Sequence, residues 1–173
     1  MRRFELLTAT AVAATLAVAS IAAAGTSSST VRDPRADTKP LKRKPELDIR
    51  RASVGDESGG RVKHKISMQG SLKPGKKFTR PFLLINTRGG NRSRFEYLAL
   101  GPRVFKRVGD GYRKVGANRF TTKRRTWIYR FKPGRLGLQP GDRYGWAALT
   151  SKGRANDLAP NSRYVTHRFG RAA

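Results

Sequence analysis

Apolar and polar residues alternate along several short segments of the chain. In segment 62–68 the even-numbered positions hold Val, His, Ile and Met, whereas the odd-numbered positions are polar. Segment 126–131 repeats this pattern with three aromatic residues on one parity. A period of two is typical of a strand with one buried face. Segment 82–85 is apolar at every position, which predicts a strand covered on both sides.

Turn-forming residues separate these segments at intervals of about ten residues. Gly109-Asp110-Gly111 is a hairpin signal, and segment 133–137 breaks a strand and is compatible with one helical turn. No segment after the N-terminal region shows helical periodicity. The pattern therefore predicts an all-β fold, an antiparallel β-sandwich of the jelly-roll or immunoglobulin-like type. Further strands are predicted at 47–54, 95–99, 104–105, 112–115, 144–148 and 164–169.

The N-terminal region has the pattern of a secretory signal peptide. Arg2 and Arg3 precede the uncharged run Leu6–Ala24, which ends in small residues. This run has 19 residues, close to the roughly 20 that span a bilayer, so an uncleaved anchor is the alternative. We expect a signal helix over 1–24, a flexible linker over 25–46, which is rich in Gly, Ser, Thr and Pro, and a β-sandwich domain over 47–173.

Charge is the strongest compositional feature. The 173 residues include 38 Lys and Arg against 11 Asp and Glu, a formal net charge of +27. Six of the acids lie between residues 33 and 57, so most of the positive charge belongs to the predicted sandwich. A protein exported from the cell has no access to genomic DNA. We therefore expect anionic envelope polymers or polysaccharides as partners, and no specific nucleic acid. A solvated surface without a ligand is the competing interpretation.

Five short segments resemble a known group of proteins. They are DPRADT (33–38), LDIRRASV (47–54), GRVKH (60–64), YGWAA (144–148) and DLAPN (157–161). They resemble the small secreted β-sandwich proteins of actinobacteria and, more distantly, DOMON-like and carbohydrate-binding β-sandwiches. The resemblance spans about residues 33–170 and implies the fold, but most members of the actinobacterial group have no assigned activity. Ala36 stands where a Gly often precedes the second Asp, which weakens a loop-based cation site.

The acids at these motifs are candidate metal ligands. Asp33 and Asp37 on one turn, joined by Asp157, supply part of the oxygen shell that calcium prefers, and Asp48 is a further acid in the same motifs. The alternative is that these carboxylates cap turns or pair with arginines. No cofactor other than calcium is indicated.

Catalytic constellations are absent from the sequence. There is no Cys, there are two His, and no nucleophile elbow, phosphate-binding loop or dinucleotide fingerprint occurs. His64 and His167 lie on the apolar parity of their strands, which indicates packed histidines. We therefore expect a protein that is not an enzyme.

Two sets of residues are candidates for binding. Trp127 and Trp146 are candidates for stacking on sugar rings, with burial in the core as the alternative. The candidate polyanion-binding residues are Arg88, Arg92, Arg94, Lys123, Arg124 and Arg125. The leading hypothesis is a secreted or cell-wall-associated monomer that attaches electrostatically to anionic polymers, with no transmembrane span after signal removal. The alternatives are a carbohydrate-binding sandwich and a structural envelope protein.

Overall fold

The computed structural model describes residues 28–34, 45–71, 81–88, 95–152, 155–161 and 164–170. The predicted signal peptide, much of the predicted linker, Asp37, Arg92 and Arg94 lie outside these residues. Within them the chain forms twelve strands and one short 3₁₀ helix, Pro133–Leu136. The strands form two antiparallel sheets, as in a β-sandwich.

The first sheet has five strands in the spatial order β1-β2-β3-β9-β8. Their bounds are β1 Ser28–Arg32, β2 Ile49–Glu57, β3 Arg61–Met68, β8 Arg119–Lys123 and β9 Thr126–Phe131. Strands β8 and β9 form a hairpin with a two-residue loop, because Lys123 pairs with Thr126. The aromatic strand β9 thus lies between β3 and β8, and it carries three residues into the core.

The second sheet runs in the order β11-β10-β4-β5-β6-β7, and β12 also pairs with β10. The bounds are β4 Phe82–Asn86, β5 Tyr97–Leu100, β6 Arg103–Val108, β7 Gly111–Ala117, β10 Arg143–Lys152, β11 Ala155–Ala159 and β12 Val165–Arg168. Strand β4 is central, and its residues Leu83 to Asn86 are buried. This confirms the prediction that this strand is covered on both sides.

One core joins the two sheets. It is built from the alternating inward residues of both sheets and includes Ile66, Trp127, Tyr129, Tyr144 and Trp146. Burial of this apolar surface is the main favourable term for folding. The outer face of the first sheet is polar, whereas the outer side of the second is apolar at buried Leu84 and Ala147.

The predicted strands and the helical turn at 133–137 are confirmed, with shifts of a few residues at their ends. Strand β2 continues through Glu57, three residues beyond the predicted end at residue 54, and the turn that follows it spans 58–60. Three strands were not predicted: β1, β8 and β11. Strand β1 lies inside the predicted linker, so Ser28–Arg32 is a correction to that assignment. The segment lacks a hydrophobic run, but its backbone pairs with β2, and the Trp146 Nε1–H donates to Ser29 Oγ at 3.2 Å.

Candidate functional site

The exposed charge of the described residues is almost entirely positive. Among the described residues, eighteen Lys and Arg side chains are exposed, against two exposed acids, Asp110 and Asp142. The other described acids are buried or half-buried. In the described part of the chain the acids are therefore more buried than the cations, which makes its surface more cationic than the composition alone implies.

A continuous patch of this charge covers the outer face of the first sheet, which we call the basic face. Its position follows from strand alternation, because residues adjacent to inward-facing core positions point outward. Register places these outward residues side by side: Lys63 pairs with Arg130, which pairs with Arg119. The cations of the basic face are Arg32, Arg51, Arg61, Lys63, Lys65, Arg119, Lys123 and Arg130.

Apart from Glu57, the remaining side chains of the basic face are uncharged and mostly hydroxylated. They are Ser28, Thr30, Ser53, Ser67, Thr121, Thr126 and Ile128. No aromatic side chain is among the outward residues of the described first-sheet strands. The face can therefore offer charge and hydroxyl hydrogen bonds to a ligand, but no ring for stacking.

Glu57 is the acid of the basic face. Its carboxylate accepts a salt bridge from Lys63 Nζ at 3.1 Å and from Arg130 Nε at 3.0 Å. Burial acts to raise the pKa of Glu57, but hydrogen bonds from Lys63 and Arg130 outweigh it and hold the pKa below its ordinary value. Glu57 is thus ionised at neutral pH and neutralises part of the charge at one end of the face.

A groove lies at the other end of the basic face, beside the loop that joins β8 to β9. We call it the hairpin groove; it is lined by Lys65, Ser71, Lys123, Arg124, Arg125, Thr126 and Ile128. Three of the predicted polyanion-binding residues, Lys123, Arg124 and Arg125, thus lie together. Lys65 and the hydroxyls of Ser71 and Thr126 were not predicted, although the odd-numbered cations of segment 61–65 were a signal for Lys65.

The other predicted polyanion-binding residues are elsewhere. Arg88 follows β4 in the second sheet, and its Nε lies 2.5 Å from Glu96 Oε1 in an ion pair. The same carboxylate accepts hydrogen bonds from the backbone N–H and the hydroxyl of Thr87. Arg88 is therefore a paired cation away from the basic face, and Arg92 and Arg94 fall outside the described residues.

The structure corrects the proposed sugar-stacking role of Trp127 and Trp146. Their side chains are 2% and 0% exposed, because both lie on the inward parity of their strands. A sugar ring cannot reach either indole face. The aromatic pair at the surface is instead Phe95 and Tyr112, stacked with ring centroids 6.0 Å apart, with Tyr112 47% exposed.

Three buried aspartates form a second candidate site. Asp33, Asp48 and Asp157 each place a carboxylate oxygen within 4.8 Å of the others. Sequence reasoning named Asp33 and Asp157 as candidate ligands, but it paired them with Asp37, which is outside the described residues. The structure supplies Asp48 as the third member of this three-aspartate cluster.

Backbone contacts fix the position of the three-aspartate cluster. The backbone N–H of Ile49 donates to Asp157 Oδ2 at 2.5 Å, and that of Gln69 donates to the Asp48 carbonyl at 2.8 Å. Gly70 packs so closely that a Cβ there would lie 2.7 Å from the Glu46 nitrogen. Carboxylate oxygens are the ligands that Ca²⁺ prefers, and a cation offsets the cost of burying negative charge. The cluster therefore has the donor chemistry of a hard-cation site.

The two histidines belong to a polar group inside the core. His64 Nε2 and the Tyr144 hydroxyl share a hydrogen bond of 2.9 Å, and His167 Nε2 lies 3.0 Å from Asp56 Oδ1. Both imidazoles are buried, at 0% and 2% exposure, which confirms the packed interpretation. Burial raises the pKa of Tyr144 well above its ordinary value, and the charge of Asp56 acts in the same direction.

Comparisons with known proteins return no match: no family model, no curated protein and no solved structure is detectably similar to this chain. In the described part of the chain, no helix has the length and apolar character needed to cross a membrane.

Proposed function

We propose that this chain is a non-catalytic cationic module that attaches electrostatically to anionic polymers of the cell envelope or the extracellular space. Its mechanism is multivalent: several Lys and Arg side chains neutralise successive anionic groups of one polymer and release their counterions. The proposal includes secretion, a monomeric state and a jelly-roll or immunoglobulin-like type of sandwich.

The observation that carries the proposal is the segregation of charge. The described part of the chain has eighteen exposed cations and two exposed acids. Strand register assembles six of these cations, together with the half-buried Lys63 and Arg130, on one face. Surface charge of one sign attracts polyanions over about a Debye length, roughly 10 Å at 0.1 M salt. A polymer lying across the strands meets several cations at once, so that weak contacts add up.

The composition of the basic face also bears on the class of polymer. Proteins that bind single-stranded nucleic acids without sequence preference stack bases on aromatic side chains beside basic residues. The described basic face offers hydroxyls in place of rings. This supports a partner recognised through its charged groups and argues against specific nucleic-acid binding.

Binding to anionic polymers across a salt series tests the proposal. We expect the purified protein to bind cell-wall fractions and inorganic polyphosphate at low ionic strength, with affinity falling steeply as salt is raised. A neutral polysaccharide of similar size is the control. Failure to bind any polyanion at low salt contradicts the proposal.

Sugar recognition through Phe95 and Tyr112 is the second candidate function. It is favoured by their stacked geometry and by the exposure of the Tyr112 ring, since aromatic rings at a protein surface can pack against sugars. Such binding persists at high salt, whereas polyanion binding does not. A Y112A variant that loses salt-resistant sugar binding supports this candidate, and sugar binding unaffected by Y112A rejects it.

We also propose that the three-aspartate cluster holds a calcium ion. The support is the convergence of three buried carboxylates from the segments around β1, β2 and β11. A bound ion there ties three distant parts of the chain together, and its role is structural. Calcium prefers six to eight oxygen ligands, so backbone carbonyls and water complete the shell.

A further inference from the structure

The loop that joins β8 to β9 has an unusual backbone. Arg124 has a φ of +51°. In the described part of the chain, every other residue with a positive φ is a glycine. Residues that carry a Cβ disfavour this region of backbone conformation. Retained strain of this kind clusters at functional sites.

A second hairpin of the same molecule shows what the loop position normally requires. Strands β6 and β7 are also joined by two residues, and Gly109 occupies the first position with φ +58°. Tight hairpin loops favour Gly, Asn or Asp at positions with positive φ. The β8–β9 hairpin has Arg124 at the equivalent position. This loop therefore carries a guanidinium on a strained backbone.

The neighbouring Arg125 is held in place. Its Nε–H donates to Ser71 Oγ and its Nη1–H to the Gln69 carbonyl, each at 2.9 Å. The Arg125 carbonyl in turn accepts a hydrogen bond from the Met68 backbone N–H at 2.9 Å. These bonds restrict the guanidinium before any ligand arrives, which lowers the ordering cost of binding.

The charge of the hairpin groove is not compensated locally. Lys65, Lys123, Arg124 and Arg125 line it, and no acid is among the described residues that line it. The salt bridges between described residues involve none of these four cations. The opposite end of the basic face differs, because Glu57 pairs there with Lys63 and Arg130.

We propose that the hairpin groove is a discrete phosphate-binding subsite, in which Arg124 and Arg125 grip one phosphate group of a phosphate-bearing polymer and Lys65 and Lys123 flank it. This inference rests on the proposed function and specifies the ligand class of one site. Arginine forks match phosphate and carboxylate oxygens in pairs. A phosphate within a polymer presents two non-bridging oxygens and weaker bridging oxygens around a tetrahedral phosphorus, whereas a carboxylate presents two oxygens in one plane. The groove supplies donors from four cations and Thr126.

The test compares R124G, R124K and R113Q with the wild type for binding to inorganic polyphosphate and to polygalacturonate, a carboxylate polymer. R124G removes the guanidinium and relieves the strain, so its melting temperature stays constant or rises by a few degrees. We expect its affinity for polyphosphate to fall about tenfold, as for the loss of one charge-assisted contact.

Because R124K keeps the charge but not the guanidinium fork, its loss of affinity should be intermediate. R113Q removes an exposed charge on β7 of the other sheet and is the control, with a loss below about twofold.

Each outcome bears on the site separately from the proposed function. Equal losses in R124G and R113Q overturn the subsite and leave diffuse polyanion binding intact. Equal losses of R124G toward both polymers overturn the phosphate preference. Absence of wild-type binding to both polymers at low salt overturns the proposed function itself. R124K separates the guanidinium fork from the charge, and wild-type affinity in R124K rejects the paired grip.

Discussion

His64 on β3 and Tyr144 on β10 join the two sheets through a hydrogen bond of 2.9 Å in the core. The imidazole also stacks on Phe131, with centroids 5.6 Å apart and rings inclined by 7°. Burial lowers the pKa of His64 well below its ordinary value, and the nearby His167 acts in the same direction. The folded protein therefore keeps His64 neutral.

This arrangement predicts a loss of stability in mild acid. The pKa of His64 is lower in the folded state than in the unfolded state. As the pH falls, His64 is therefore protonated in the unfolded chain while it stays neutral in the folded protein. The contribution of His64 to the free energy of unfolding is complete above the pKa of the unfolded state, about 6.5, and is lost as the pH falls below that value. We expect the free energy of unfolding to fall with a slope of about 1.4 kcal/mol per pH unit from this group, measured by denaturant titration between pH 8 and pH 5.

The variant H64Q separates this effect from other titrations. Glutamine cannot titrate, so H64Q should be less stable than the wild type at pH 8 but should have a shallower pH slope. Parallel slopes for the two proteins contradict the assignment to His64.

The sequence predicted the strands that have an apolar face, and the reason is visible in β3 and β9. Their inward residues are buried and their outward residues are polar, so alternation is clear. Edge strands β1 and β8 bury less: β8 directs the half-buried Phe120 inward between exposed polar residues. Backbone pairing with β2 or β9 is sufficient to hold such strands, and this leaves little trace in side-chain pattern.

In the hairpin groove, the residues that were predicted together are neighbours in sequence. Lys123, Arg124 and Arg125 form a run, and the run lies in the hairpin groove. Lys65 joins them through the pairing of β3 with β9, which sequence reasoning did not resolve. Asp48 joins Asp33 and Asp157 in the same way, because the contact between Ile49 and Asp157 links residues 108 positions apart.

The burial of both tryptophans predicts a specific fluorescence behaviour. Trp127 and Trp146 are the two tryptophans of the chain, and both are sheltered from water. We expect blue-shifted emission, weak quenching by iodide, and no change on addition of neutral oligosaccharides. A red-shifted, readily quenched emission from the folded protein contradicts this burial.

Calcium should stabilise the protein through the three-aspartate cluster. A ligand that binds the folded state at a hundredfold excess over its Kd adds about 2.7 kcal/mol. We expect the melting temperature to rise on addition of CaCl₂ after removal of metals with a chelator. The D48N variant removes one carboxylate while leaving the Ile49–Asp157 hydrogen bond, so its calcium-induced shift should be much smaller. The proposed site is rejected if the wild type shows no shift or if D48N shifts equally.

Replacing Glu57 should strengthen polyanion binding, because its carboxylate neutralises two cations of the basic face. E57Q releases Lys63 and Arg130 from their salt bridges. We expect a gain in polyphosphate affinity of about threefold at low salt, which disappears as salt screens the charges. Since these ion pairs are partly exposed, the loss of stability should stay below about 1 kcal/mol.

The matched control is E96Q. It raises the net charge by the same amount, but it releases Arg88 beside the second sheet, away from the basic face. If the basic face is the binding surface, E57Q gains affinity and E96Q gains less. Equal gains in affinity for E57Q and E96Q show that net charge alone governs attachment. If E57Q shows no gain, the end of the basic face around Glu57 is not part of the binding surface.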